Sequence, residues 1–150
     1  MSYELVAVKT DADWLAYHAI RRDVLWIARG RTGYTEGHAD EFHPAHHPLL
    51  LKCDGVAVAT TRLDERGQGA GVVRLVAIPR DAQRQGHGRH LSRLVEARAK
   101  RLGMTTLYVN AVSDALDFYR KTGWEPFAWD PAELIDTFAV CIQMRKRLAA

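Results

Sequence analysis

The sequence predicts an α+β domain on a mixed β-sheet, and three observations carry that expectation. Seven short runs have strand patterning, from residues 4–8 to residues 138–144. Two of them flank Asp54-Gly55, a pair that tolerates positive φ at both positions and so closes a tight hairpin. Between residues 72 and 109 a strand, a glycine turn and an amphipathic helix lead into another strand. Such a crossover must run parallel and should be right-handed.

The elements follow in order. Residues 4–8 alternate and read as the first strand. Thr10, with Asp13 three places on, forms a capping box for a helix carrying Trp14, Leu15, Ile20, Val24, Leu25 and Ile27 and ended by Gly30. The polar stretch 31–48, RTGYTEGHADEFHPAHHP, is long for a mere connection. Residues 49–53 and 56–63 are the hairpin strands. Residues 72–78 form an apolar run expected to be buried on both faces, stopped by Pro79, which lacks a ladder donor. A helix over 88–102 sets Leu91, Leu94, Val95 and Leu102 on one side and ends at Gly103. Residues 106–109 are a strand, 113–122 a helix closed by Gly123, and 125–129 and 138–144 the last two strands.

Composition narrows the class. A chain of 150 residues has too little apolar surface for two cores, and no repeat or linker divides it, so one domain over 1–150 is expected. The apolar share of 47% and the charged share of 26% are ordinary for a globular protein. Two cysteines, Cys53 and Cys141, are too few for a disulfide scaffold and read as buried thiols of a reducing cytosol. No basic segment followed by an apolar one opens the chain, and nothing approaches the ~20 apolar residues of a membrane span. A cytoplasmic protein without membrane or nucleic-acid partners is expected, since the net charge of +3 is scattered rather than gathered into a basic stripe.

The chemistry concentrates in Gln83-Arg84-Gln85-Gly86-His87-Gly88, between the apolar strand and the helix behind it. Glycines let the backbone approach a ligand, and a helix N-terminus offers unsatisfied N–H groups and partial positive charge, which suits a pyrophosphate. A tight strand-to-helix turn without a ligand is the competing reading of this segment alone. A dinucleotide-binding turn is disfavoured, because the segment follows a late strand and GxGxxG is not completed.

QRQGHG fits [Q/R]-x-x-G-x-[G/A], the acetyl-CoA signature of the GNAT superfamily of N-acetyltransferases. Residues 115–124, ALDFYRKTGW, resemble that family's A-x-x-F-Y-x-K-x-G-F segment, with Trp124 for the last Phe. The resemblance is specific over residues 72–124 and loose before Leu49, where 40–50 is faintly similar to the ElaA-like branch. It implies a sheet of about seven strands, splayed at the crossover, with about four helices and with acetyl-CoA in the gap as co-substrate. It implies that the backbone of Val76, Ala77 and Ile78 holds the pantetheine and acetyl carbonyl. Arg84, Gln85, Gly86, His87, Gly88 and Arg89 would wrap the pyrophosphate. Tyr119 matches the tyrosine that protonates the departing thiolate, a task suited to a positioned phenol; a packed helix-edge aromatic is the other reading.

Two positions depart from the family pattern. The strand acid that many members use as base is replaced by Arg74, and the asparagine seven residues before the tyrosine by Val112. Asn110, two residues earlier, becomes a candidate cofactor contact. The base then falls to the histidine-rich loop, with His47 and Glu41 as candidates, since imidazole titrates near neutral pH, or a weakly basic amine gives its proton to bulk water. A solvated polar loop is the plain alternative; a metal site is disfavoured because the spacing matches no zinc pattern, and no metal is expected. Cys141 reads as a structural thiol rather than an acyl carrier, because no activating base is identifiable beside it.

The reading that unites these features is transfer of an acetyl group from acetyl-CoA to a primary amine of a small molecule or peptide, by direct attack. A longer acyl-CoA, or a catalytically idle acyl-CoA-binding module, are the alternatives, and a homodimer is compatible with each.

Overall fold

Thr10 starts the first helix as its capping box requires. In the computed structural model, which describes residues 2–135 and 140–149, its side chain accepts from the Asp13 N–H at 3.0 Å. Helix α1 (Asp11–Arg21) buries Asp13, Tyr17, Ile20 and Arg21, a face of 3.6-residue period. Leu15 points the other way and is 70% exposed. The chain then loosens into a π-turn over Arg22–Trp26 and a 3₁₀ turn over Ile27–Arg29, ending on left-handed Gly30. This change of pitch breaks the α-helical phase, and Ile27, expected on the apolar face, is exposed instead.

The strands are β1 (Tyr3–Ala7), β2 (His46–Cys53), β3 (Val56–Gly67), β4 (Ala70–Ala77), β5 (Thr106–Val112), β6 (Glu125–Pro126) and β7 (Cys141–Arg147). They form one sheet in the order β1-β2-β3-β4-β5-β7-β6, with β4 and β5 parallel and every other pair antiparallel. Asp54 (φ 51°) and Gly55 (φ 82°) make the hairpin turn through positive φ. Helix α2 (His87–Arg101) supplies the crossover, and α3 (Leu116–Lys121) follows β5.

Among the described residues, three α-helices with short 3₁₀ and π segments stand where about four helices were expected. The stretch 113–122 opens as a 3₁₀ turn before becoming α3, strand 125–129 shrinks to Glu125–Pro126, and Leu102 ends α2 40% exposed. The strand expected over 138–144 is described from Cys141 onward; Phe138 lies outside the described residues.

Leu49, Leu50 and Leu51 are all fully buried, because β2 carries cores on both faces. Leu49 and Leu51 join Leu63, Leu91, Val95 and Leu107, whereas Leu50 packs with Tyr17, Ile20 and Ala77. Each such side chain contributes roughly 1.5–3 kcal/mol by leaving water.

One irregularity shapes everything that follows. Thr60 pairs Ala77 and Arg62 pairs Arg74, so β4 holds one extra residue there, and Leu75 sits at φ 55°. Thr61 Oγ1 donates to the Arg74 carbonyl at 2.8 Å inside this bulge. A bulge bends its strand, and pairing of β4 with β5 stops at Val73–Val109. Beyond that point the two strands part. The half-buried Arg74–Val76 stretch, expected to be buried on both faces, borders the opening.

Candidate active site

Two cavities flank the parted strands. The first, about 340 Å³, runs from the glycine turn along α2 to α3. The second, about 470 Å³, lies under the α1–β2 connection. Both volumes suit small-molecule sites. Val73, Val76 and Tyr119 line both.

The first cavity gathers most of the glycine-turn residues. Val76, Ile78, Arg84, Gly86, His87, Gly88 and Arg89 line it. Arg84 (φ 63°) and Gly86 (φ 86°) take left-handed backbone, and Gln83 fastens the turn by donating from Nε2 to the Ile78 carbonyl at 2.9 Å. Helix α2 begins with no side-chain cap and no acid in its first turn, so its leading N–H groups stay open to an anion. A Cβ on Gly88 would stand 3.2 Å from the Phe118 ring, so a hydrogen is what keeps this cradle open. The turn therefore fits a pyrophosphate. Ala77 faces the other core and can offer only backbone, and Gln85 is turned away to the Asp81 carbonyl at 3.0 Å. The His87 ring is spent on Tyr3, Nδ1 lying 2.8 Å from its hydroxyl, which leaves its N–H for a ligand.

Tyr119 packs edge-on against Phe118 and Trp124, with centroids 5.5 Å away in each case. Thr122 Oγ1 donates to the Phe118 and Tyr119 carbonyls, and left-handed Gly123 ends the helix, so the ring is firmly held. Its hydroxyl makes no hydrogen bond to a described residue. Burial, with a smaller push from the Cys141 thiol, raises it to about 12. It is a proton donor across the working pH range. Burial also raises the Cys141 thiol, against a smaller opposing pull from Arg29, which keeps it protonated and a poor acyl carrier.

The second cavity holds ion pairs. Arg74, where a strand acid was expected, donates from Nε to Asp64 (2.9 Å) and from both terminal nitrogens to Glu133 (2.8 and 3.0 Å). Burial opposes the charge, but these partners hold Arg74 above its ordinary value. Glu133 lies below its own, burial being outweighed by the bonds from Arg74 and Asn110. Glu41, expected as a base, is buried and accepts from Arg21 and from the Tyr17 hydroxyl (3.3 Å), with Arg62 3.8 Å away. A carboxylate so committed is a structural anchor.

His47 is corrected too. The strand directs it to Glu65 at 2.8 Å, and it lines neither cavity. Asn110 lines the second cavity rather than the first, bonded to Glu133 (3.1 Å) and Gln143 (3.0 Å). The histidine-rich loop explains itself locally. His38 and His43 accept from backbone N–H groups two residues on, and His43 and His46 stack at 4.6 Å. Among the described residues, no three His, Cys, Asp or Glu side chains converge as metal ligands. Nor is any helix of these residues long and apolar enough to cross a membrane. Sequence reasoning missed Glu133, whose partner Arg74 is distant in the chain, and the neighbouring pair Arg62 and Asp64.

The acetyltransferase (GNAT) family model matches residues 13–124, about three quarters of the chain. The chain belongs to the GNAT acetyltransferase family. Solved GNAT-like structures agree with the fold. A putative N-acetyltransferase from Lactobacillus plantarum superposes with TM-score 0.80 at 22% identity, covering 99% of this chain and all of that one. Escherichia coli ElaA gives 0.78 at 15% identity over 97% and 99% of the two chains. N-acetylglutamate synthase from Neisseria gonorrhoeae, complexed with coenzyme A and N-acetyl-glutamate, gives 0.76 at 16%, with this chain matching 36% of its length. In this GNAT chain, the bulged β4 and the glycine turn border the first cavity.

Proposed function

We propose that residues 1–150 act as one N-acetyltransferase domain that moves an acetyl group from acetyl-CoA to a primary amine by direct attack. The observation that carries this reading is Tyr119, whose hydroxyl lacks a described partner and whose ring is shared by both cavities. Acetyl-CoA occupies the first cavity, its pyrophosphate on the N–H groups of His87, Gly88 and Arg89 and on Arg84. The bulge leaves β4 backbone groups unpaired beside the thioester, and an N–H at Val76 or Ile78 holds the carbonyl oxygen as it becomes an oxyanion.

The amine enters from the second cavity and attacks the carbonyl carbon. As the tetrahedral intermediate collapses, the carbon–sulfur bond breaks and Tyr119 gives its proton to sulfur. The amine releases its own proton to water in the cavity, since Arg74, Glu41 and Asp64 are committed to one another and to their partners. Incubation with acetyl-CoA and a broad set of amines and peptides, read by free-thiol release, tests the proposal. Binding of acetyl-CoA with no thiol released in any mixture would favour an idle acyl-CoA-binding module.

A further inference from the structure

We infer that a positively charged groove between α2 and α3 seats the 3′-phosphate at the nucleotide end of coenzyme A, held by Arg93 and Lys121. The inference rests on the cofactor reading of the first cavity and adds how its ligand is told from the dephosphorylated form.

The groove is a third cavity, about 590 Å³, and its charged lining is Arg89, Arg93, Glu96, Lys100, Lys121 and Lys146. The first four follow one another on α2 at intervals of four, three and four residues, so helical geometry sets them in one row. Lys121 is the last residue of α3, and Lys146 comes from β7. Lys146 Nζ donates to Glu96 at 3.0 Å and to the Thr122 carbonyl at 2.6 Å, which ties the elements around the groove together. Among the described residues, Glu96 is the one carboxylate of the lining, and Lys146 already takes its charge. Arg89, Arg93, Lys100 and Lys121 are exposed and make no ion pair with a described residue. Arg93 meets the His90 imidazole at 3.1 Å, which adds no negative charge. Asp117, one turn before Lys121, lies outside the lining; counting it against the four cations still leaves three in excess.

Position gives that charge its meaning. Arg89, Ser92 and Glu96 line both the groove and the first cavity, so the two are continuous. Deeper in, the first cavity is walled by Val73, Val76, Ile78, Leu91, Val95 and Leu107, which suits the pantetheine arm and offers a dianion nothing. Once the pyrophosphate sits on the open N-terminus of α2, the nucleotide has to lie outside that wall, and the groove receives it along the same helix. A phosphomonoester carries nearly two negative charges at neutral pH. Guanidinium and ammonium groups there gain charge-assisted hydrogen bonds to it. Arg93 stands one turn beyond Arg89, and Lys121 is a cation of the groove with no partner of its own. Lys100 is about 16 Å along the helix from Arg89, too far for the same phosphate. A phosphopantetheine arm without the nucleotide, as on a carrier protein, forgoes this grip.

Titration calorimetry with coenzyme A and 3′-dephospho-coenzyme A tests the inference. The wild type should bind coenzyme A about tenfold more tightly at low ionic strength, the scale of one charged hydrogen bond. Arg93→Gln combined with Lys121→Gln should bring the two ligands to within about twofold of each other, while affinity for the dephospho form holds. Arg101→Gln, at an exposed position of the same helix outside the groove, should leave the ratio as it was. Equal binding of the two coenzymes by the wild type overturns the inference. So does discrimination that survives the double substitution, or that is lost equally in Arg101→Gln. If neither coenzyme binds, the cofactor reading of the first cavity has failed, and the groove is judged with adenosine 3′,5′-bisphosphate and adenosine 5′-phosphate. The bisphosphate should then bind the wild type more tightly, and the double substitution should abolish the difference. Equal binding of these two nucleotides by the wild type counts against the site.

Discussion

Arg74 Nη1 donates to Glu133 Oε1 at 2.8 Å, joining strand β4 to a segment 59 residues further along the chain. The strand position where many relatives carry a base therefore holds a cation, neutralised from the far side of the opening by Glu133 and from the neighbouring strand by Asp64. That clamp ties the segment before β7 to the centre of the sheet, with Arg66 adding a contact to Asp130 at 2.9 Å.

Arg74→Gln should lower stability by about 2 kcal/mol, because two partly buried carboxylates lose a charged partner. Glu133 lies below its ordinary value in the fold, so its contribution is present above the unfolded carboxylate range. It is lost as pH falls through the folded value. Wild-type melting temperature should drop on acidification below about pH 4, and the variant should show a shallower acid limb. Parallel melting curves from pH 7 to pH 3 measure both.

Tyr119→Phe removes one oxygen and leaves the ring contacts with Phe118 and Trp124. Turnover should fall on the order of a hundredfold, with melting temperature and acetyl-CoA affinity nearly unchanged. Since the phenol stays protonated to about pH 12, no loss of rate from its titration should appear below pH 10. A variant with more than half of wild-type turnover would remove Tyr119 from the mechanism.

Acetyl-CoA at a hundredfold over its dissociation constant should stabilise the wild type by about 2.7 kcal/mol. Gly88→Val sets its branch against Phe118 and fills the cradle, and that stabilisation should disappear. Differential scanning fluorimetry reads the shift, and a variant that keeps it in full places the cofactor elsewhere.

His47→Gln should leave kcat/KM within about twofold at pH 7 and pH 9, because its partner Glu65 is a partly exposed ion pair on the sheet surface. With no uncommitted carboxylate beside β4 among the described residues, kcat/KM should rise with pH along the titration of the amine itself. Two acceptors of different basicity should give profiles displaced by the difference in their pKa values. Coincident profiles would point to a protein base.

Much of this architecture was legible because its signals are local. Asp54-Gly55, Gln83-to-Gly88 and Gly123 each state a backbone requirement within a few residues, and Thr10 with Asp13 marks a helix start. The placement of Tyr119 on a short helix was legible through the motif around it. Glu133 was not, since nothing near it announces a partner 59 positions away, and Asp64 was not because only the pairing of β3 with β4 sets it beside Arg74. Glu41 and His47 misled for a related reason: residue type suggested a base, but only the fold reveals that Arg21 and Glu65 already occupy them. Ile27 went astray because a uniform helical period was extended through a segment whose winding changes at Arg22, whereas Leu15 lies within regular α1 on the side away from its buried residues.

The wall shared by the two cavities bears on the order of events during turnover. Since Val73, Val76 and Tyr119 face both chambers, two reactants can be lodged side by side, and neither has to leave before the other arrives. No covalent relay through the protein is needed. Initial-rate plots at varied concentrations of both reactants should therefore intersect rather than run parallel, the signature of a ternary complex. The dead-end pair of free coenzyme and amine should form readily, making coenzyme a strong product inhibitor against its acylated form.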